Sequence, residues 1–186
     1  MRKHLGISAF VAVTISCAAF TAQAQDKAVE LTAGLLGYTS TSYSCSGCSS
    51  LSASTFRTGG AYAAAGFYLS PGLAIEPWLA IASLSSEGNT ASSWTIGVGV
   101  PIYFAKEWGR KGWYLTPAVR FLSESCTGCS AETQFGLAAS VGYKVALNAN
   151  AALRIHASYD YGMESSSTKT TTSAFGIGFG LSAFIK

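Results

Sequence analysis

From residue 151 onward every second residue is apolar or aromatic: Ala151, Leu153, Ile155, Ala157, Tyr159 and Tyr161. Between them stand Ala152, Arg154, His156, Ser158 and Asp160. After a polar run over 164–172 the alternation resumes with Phe175, Ile177, Phe179, Leu181, Ala183 and Ile185, set against Ala174, Gly176, Gly178, Gly180 and Ser182. A strand sends successive side chains to opposite faces, so each segment has one unbroken apolar face and one small or charged face. Two such strands joined by a Ser/Thr-rich loop make a hairpin. A strand of about ten residues with a continuous apolar face is what crossing a bilayer in a barrel requires.

The rest of the chain repeats this unit, and eight strands are expected. The first runs from 29 to about 43, with Val29, Leu31, Ala33 and Leu35 against Glu30, Thr32, Gly34 and Leu36. The second, about 55–69, is the least clear, because 61–66 is small on both faces. A tight turn at Ser70-Pro71-Gly72 leads to the third, where Leu73, Ile75, Pro77, Leu79 and Ile81 oppose Ala74, Glu76, Trp78, Ala80 and Ala82. After Glu87-Gly88-Asn89 the fourth carries Trp94, Ile96, Val98, Val100, Ile102 and Phe104 against Ser93, Thr95, Gly97 and Gly99. A charged turn over 106–112 precedes the fifth, with Trp113, Leu115, Pro117, Val119 and Phe121 against Thr116, Ala118 and Arg120. The sixth sets Phe135, Leu137, Ala139, Val141, Tyr143 and Val145 against Gln134, Gly136, Ser140, Gly142 and Lys144. The short turn Asn148-Ala149-Asn150 reaches the closing hairpin. Pro77 and Pro117 stand inside strands, where proline removes a ladder hydrogen bond.

A basic start (Arg2, Lys3), an apolar stretch over 5–20 and the small-residue site Ala22-Gln23-Ala24 read as a secretory signal peptide over 1–24, leaving 25–186 as one domain. Loss of Arg2 and Lys3 would leave ten of the twelve basic residues against nine acids, a near-neutral chain. No basic stripe points to nucleic acid. Mean hydropathy is positive (+0.31), yet beyond the leader no apolar run is long enough for a membrane helix. Apolarity dispersed by alternation is the composition of a membrane barrel.

The faces decide the solvent. Glu30, Glu76, Arg120, Lys144, Arg154 and Asp160 share the face rich in Gly and Ala, while Trp94, Phe104, Trp113, Tyr143 and Tyr161 end the apolar one. A soluble barrel of the lipocalin kind would invert them. The expected fold is all-β: an eight-stranded antiparallel up-and-down transmembrane β-barrel with a filled polar interior. In strand count, in the short second, sixth and seventh connections, and in the closing segments 153–161 and 176–184, the chain resembles the OmpX/OmpA-type family of small eight-stranded outer-membrane barrels. One departure concerns its end: that family usually finishes on an aromatic residue, and here Phe184 is followed by Ile185 and Lys186. The resemblance implies a Gram-negative outer-membrane protein, probed by no cofactor and surrounded by lipopolysaccharide and phospholipid. It further implies a monomer, with a structural or surface-interactive role and an extracellular partner met through the loops.

Three constellations bear on chemistry. Glu30 and Glu76 against Arg120, Lys144 and Arg154 suit an interior ion-pair ladder that plugs the lumen, because a barrel this narrow is filled by side chains. The alternative is a proton or ion path along the same residues, a narrow pore. Cys45-Ser-Gly-Cys48 and Cys126-Thr-Gly-Cys129 lie on one side of the barrel, in the first and third loops. Export favours disulfides, with local Cys45–Cys48 and Cys126–Cys129 bridges expected, and zinc as the alternative. Finally, His156-Ala157-Ser158 places an imidazole and a hydroxyl on one face, similar to the His-x-Ser of PagL-type lipid A deacylases. That pair would face lipid, whereas His156 and Ser158 fall on the polar inner face, and Tyr159 follows where an asparagine is expected. An interior histidine in a non-enzymatic barrel is the reading preferred here.

Overall fold

The computed structural model describes residues 29–45, 51–58, 62–86, 89–105, 108–127, 132–164 and 170–185. These form one antiparallel sheet with the segments β1 (Val29–Cys45), β2 (Leu51–Thr58), β3 (Ala63–Ser70), β4 (Leu73–Ser86), β5 (Asn89–Gly99), β6 (Ile102–Tyr103), β7 (Gly112–Cys126), β8 (Glu132–Asn148), β9 (Ala151–Glu164) and β10 (Thr170–Ile185). Neighbours follow the order β10-β9-β8-β7-β5-β4-β3-β1-β2, and pairing of β1 with β10 closes the ring. β2 and β3 both pair with β1, along its later and earlier residues respectively, and so share one wall position. β5 and β6 likewise share the position between β4 and β7. Ten segments thus fill eight positions of an up-and-down barrel. The end carrying the Pro71-Gly72 turn is called lower here, and the opposite end upper.

Both segment breaks correct the continuous strands expected over 55–69 and 93–104, and prolines account for part of this. Pro77 pairs with Val98 on one side, but the β3–β4 ladder skips from Ala64↔Trp78 to Phe67↔Ile75, leaving no rung at Pro77. Pro117 keeps Ala139 on one side, while across from it the wall strand is interrupted at Val100 and Pro101. A proline has no N–H to give. The β3–β4 ladder therefore has no rung at Pro77, while on the interrupted side of Pro117 only the bond from Val100 N–H to the Pro117 carbonyl remains (2.9 Å). Both ladders resume in the same register. Between β2 and β3, Tyr62 lies outside the ladder, and the small-sided stretch from Ala63 on is strand.

One face assignment also changes. The β1–β10 register shifts between Gly34 and Leu36, and Leu36 stands opposite outward-facing Phe179. A bulge inserts one residue and reverses the parity beyond it. Leu35 (43% exposed) and Leu36 (41%) therefore both lie on the lipid side.

Outward side chains are apolar and exposed around the whole ring, including Trp94, Phe104, Trp113, Tyr143 and Tyr161. Inward ones are buried or half-buried and pack by a size rule across the rungs. Trp78 stands opposite Gly97, Tyr114 opposite Gly142, Arg120 opposite Gly136 and His156 opposite Gly178. A methyl group at Gly97, Gly142 or Gly178 would collide with the large partner, and one at Gly136 would crowd Arg120 and meet the Tyr161 carbonyl. The glycine-rich inner face is thus the space that its large side chains occupy.

Candidate functional site

At the lower end the lumen holds two charge pairs within an aromatic layer. Lys144 Nζ donates to both carboxylate oxygens of Glu30 at 2.6 Å, and both side chains are fully buried. Tyr68 Oη donates to the same carboxylate at 2.5 Å and Thr32 Oγ1 at 3.2 Å. Lys144 also donates to Tyr103 Oη at 2.9 Å, with its ammonium 4.5 Å from that ring's centre. Just above, Arg154 donates through a terminal nitrogen to Glu76 at 2.7 Å and through Nε to Tyr114 Oη at 2.7 Å. Tyr68, Ala74, Tyr103, Tyr114, Ala152 and Phe184 form the buried apolar cluster around these groups, and Trp108 of the 104–111 connection packs against it. Every charge in this layer is met by an opposite charge, and Glu30, Lys144 and Arg154 by further hydrogen bonds, the condition under which buried ions are tolerated.

Nearer the upper end Arg120 Nε lies 3.1 Å from Asp160, whose side chain is 24% exposed. Gln134 donates to Thr172 Oγ1 at 3.2 Å in the same region. The inner face of β9 carries Arg154, His156, Ser158 and Asp160 in succession, so His156 and Ser158 stand between the two charged levels. There a cavity of about 240 Å³ opens, lined among others by Tyr62, Trp78, Ala80, Ala138, His156 and Ser158. The His156 ring sits against Gly178 and Ser158 Oγ is aimed at Gly176. Among the described residues no hydrogen bond joins His156 to Ser158, and His156 Nδ1 has no partner.

Of the residues singled out from sequence, Glu30, Lys144, Glu76 and Arg154 meet in one layer, and Arg120 meets Asp160 at another. His156 lies between the two groups, and its Nδ1 bonds to neither. Cys48 and Cys129 lie outside the described residues, as do the side chains of Cys45 and Cys126, and so does the 1–24 leader. β1 and β7, which end at Cys45 and Cys126, are separated by β10, β9 and β8 one way and by the β2/β3, β4 and β5 positions the other, on opposite sides of the ring. Sequence reading missed Tyr62, Tyr68, Tyr103 and Tyr114. Parity was the available signal: Tyr103 continues the inner series Gly97, Gly99, and Tyr114 precedes Thr116 by two.

A closed ring of eight strands, apolar outside and charged inside, is an integral membrane barrel, a form found in bacterial outer membranes. The chain belongs to the outer membrane protein beta-barrel domain family, whose model matches residues 8–183. It is accordingly an outer-membrane protein of the OmpX/OmpA type. Among solved structures it is similar to Neisserial surface protein A, with 15% identity, 84% of this chain and 97% of that chain covered, and a TM-score of 0.61. It also matches Ail, the attachment invasion locus protein of Yersinia pestis, at 14% identity over 84% of this chain and 99% of that chain, with a TM-score of 0.45. At these identities the likeness concerns the fold alone. No curated protein matches the chain significantly.

Proposed function

We propose that this barrel is a non-enzymatic, monomeric scaffold of the outer membrane that holds lipopolysaccharide and phospholipid around its belt. Its upper connections would meet an extracellular partner, in a structural or adhesive role. The observation that carries this reading is the lower layer, in which Glu30–Lys144 and Glu76–Arg154 are paired within packed aromatic rings. Ions would have to break those pairs to pass, which disfavours a pore. The unbonded His156 and Ser158, turned into the lumen rather than toward lipid, disfavour a lipid-hydrolysing pair.

One preparation tests both points. The purified, folded protein in planar bilayers is expected to pass no steady current, and with lipid A in mixed micelles it is expected to release no fatty acid. Stepwise conductance would replace the scaffold reading with a pore, and acyl release abolished by Ser158→Ala would replace it with a deacylase.

A further inference from the structure

Among the described residues, the side chains leave a cavity open in the lumen between the Arg154–Glu76 and Arg120–Asp160 levels. Packed interiors leave few voids larger than a water molecule. An apolar cavity of about 150 Å³ admits benzene; this one, at about 240 Å³, has room for a fused two-ring molecule. Its wall fixes the chemistry of what would fit. Trp78 and Tyr62 present aromatic rings, and Ala80, Ala138, Gly176 and Gly178 present flat, small surfaces. The charges at floor and roof are already paired with each other, so an ion entering would be desolvated without a counter-charge. The wall also holds buried hydrogen-bonding atoms that have no partner among the described residues: Tyr62 Oη, His156 Nδ1 and Thr116 Oγ1. Such atoms are costly to leave unmet.

Among the described residues the wall has a gap at the same level. The last rung between β3 and β4 joins Ala63 to Leu79, and beyond it β4 pairs with β5 alone. β2 pairs with β1 alone. Among the described residues, then, the upper wall has a seam between β2 and residues 80–86 of β4. Ala80, the first residue of that seam, also lines the cavity.

We propose that this cavity is a binding site for a small neutral planar molecule bearing a hydroxyl or ring N–H, of the naphthol or indole class, admitted through the seam between β2 and β4. Its rings lie against Trp78 and Tyr62, and its polar group meets Tyr62 Oη and His156 Nδ1.

The probe is 2-naphthol, titrated calorimetrically into the full-length protein folded in detergent, with empty micelles as the blank and naphthalene as the comparison ligand. Saturable one-to-one binding above the blank is expected, about tenfold tighter for 2-naphthol than for naphthalene, the effect of one to two hydrogen bonds. Ala138→Leu, which fills the cavity, should abolish both. Tyr62→Phe keeps the shape and should shrink the naphthol preference to roughly twofold or less, by the same reasoning. Should Ala138→Leu fail to fold, the Tyr62→Phe comparison decides alone. Heats equal to the micelle blank would mean that the cavity holds water only and would overturn the proposal. So would binding that Ala138→Leu leaves intact, or a naphthol preference that Tyr62→Phe leaves unchanged.

Discussion

The two ends of this barrel are built on opposite principles. The lower end is filled: tyrosines, Phe184 and Trp108 pack around two ion pairs, and the turn at Pro71-Gly72 brings β3 and β4 together with a two-residue link. The upper end is left open instead: small glycine, alanine and serine surfaces between Trp78, Tyr62 and His156 line a cavity, the ion pair there is partly exposed, and among the described residues the wall has a seam. Both ends obey the same alternation and the same hydrogen-bonded ring. What differs is the size of the inward residues, and this decides whether the lumen is a core or a container. The comparison teaches that outward pattern sets the membrane address while inward volume sets what the barrel can do.

The largest effect should come from breaking the filled end. Lys144→Met removes the counter-charge of a carboxylate that has no exposure to water, and uncompensated buried charges cost about 3–5 kcal/mol. Urea unfolding in lipid vesicles, followed by tryptophan fluorescence, is expected to register that loss. The double variant Glu30→Gln/Lys144→Met should recover most of it, since replacing a whole buried pair by neutral groups is often nearly free. A single variant within about 1 kcal/mol of the parent would mean that water reaches the pair, and that the lower end is not sealed.

Hydrogen exchange sharpens the contrast without mutation. In the lower wall β4 has rungs to β3 at 73–75 and 78–79 and to β6 or β5 at Leu73 and 76–79, whereas among the described residues 80–86 have rungs to β5 alone. Peptides covering 80–86 are expected to exchange about half their amides early, because alternate N–H groups of a strand point to opposite sides. Peptides covering 73–79 should stay protected longer. Equal protection across β4 would show that the seam is closed in solution, and would remove the entry route argued for the cavity.

The same contrast explains what was legible in the sequence. Alternation over β8, β9 and β10 assigned faces correctly because period two admits no other reading when large apolar and small polar residues take turns. It failed at Leu35–Leu36, where a bulge falls between two equally apolar residues, and was least clear at 61–66, where both faces are small. Partners were beyond reach in either case. Glu30 and Lys144 lie 114 residues apart, and which charge meets which depends on strand stagger rather than on spacing. The tyrosines of the lower core were overlooked for a related reason: their rings suit the lipid face as well as the lumen, so only their parity distinguished them. The cavity left no local mark either, because it arises from small residues on several strands meeting at one height.

The smallest effect should come from the upper ion pair, and its smallness is informative. Arg120 and Asp160 are 3.1 Å apart, a closeness that in the lower layer would signal a strong mutual dependence. Asp160, however, keeps about a quarter of its side chain exposed, so water can solvate the carboxylate once the guanidinium is gone. Partly exposed pairs contribute about 1 kcal/mol or less, and salt screens them. Arg120→Ala should therefore lower stability by no more than roughly that amount in the same urea assay, a deficit that narrows at high ionic strength. The variant also removes the side chain packed over Gly136 and Gly162, so a part of the loss that salt does not change measures lost packing. A loss matching that of Lys144→Met would mean that the upper lumen is as dry as the lower, and the division of the barrel into core and container would fail at this level.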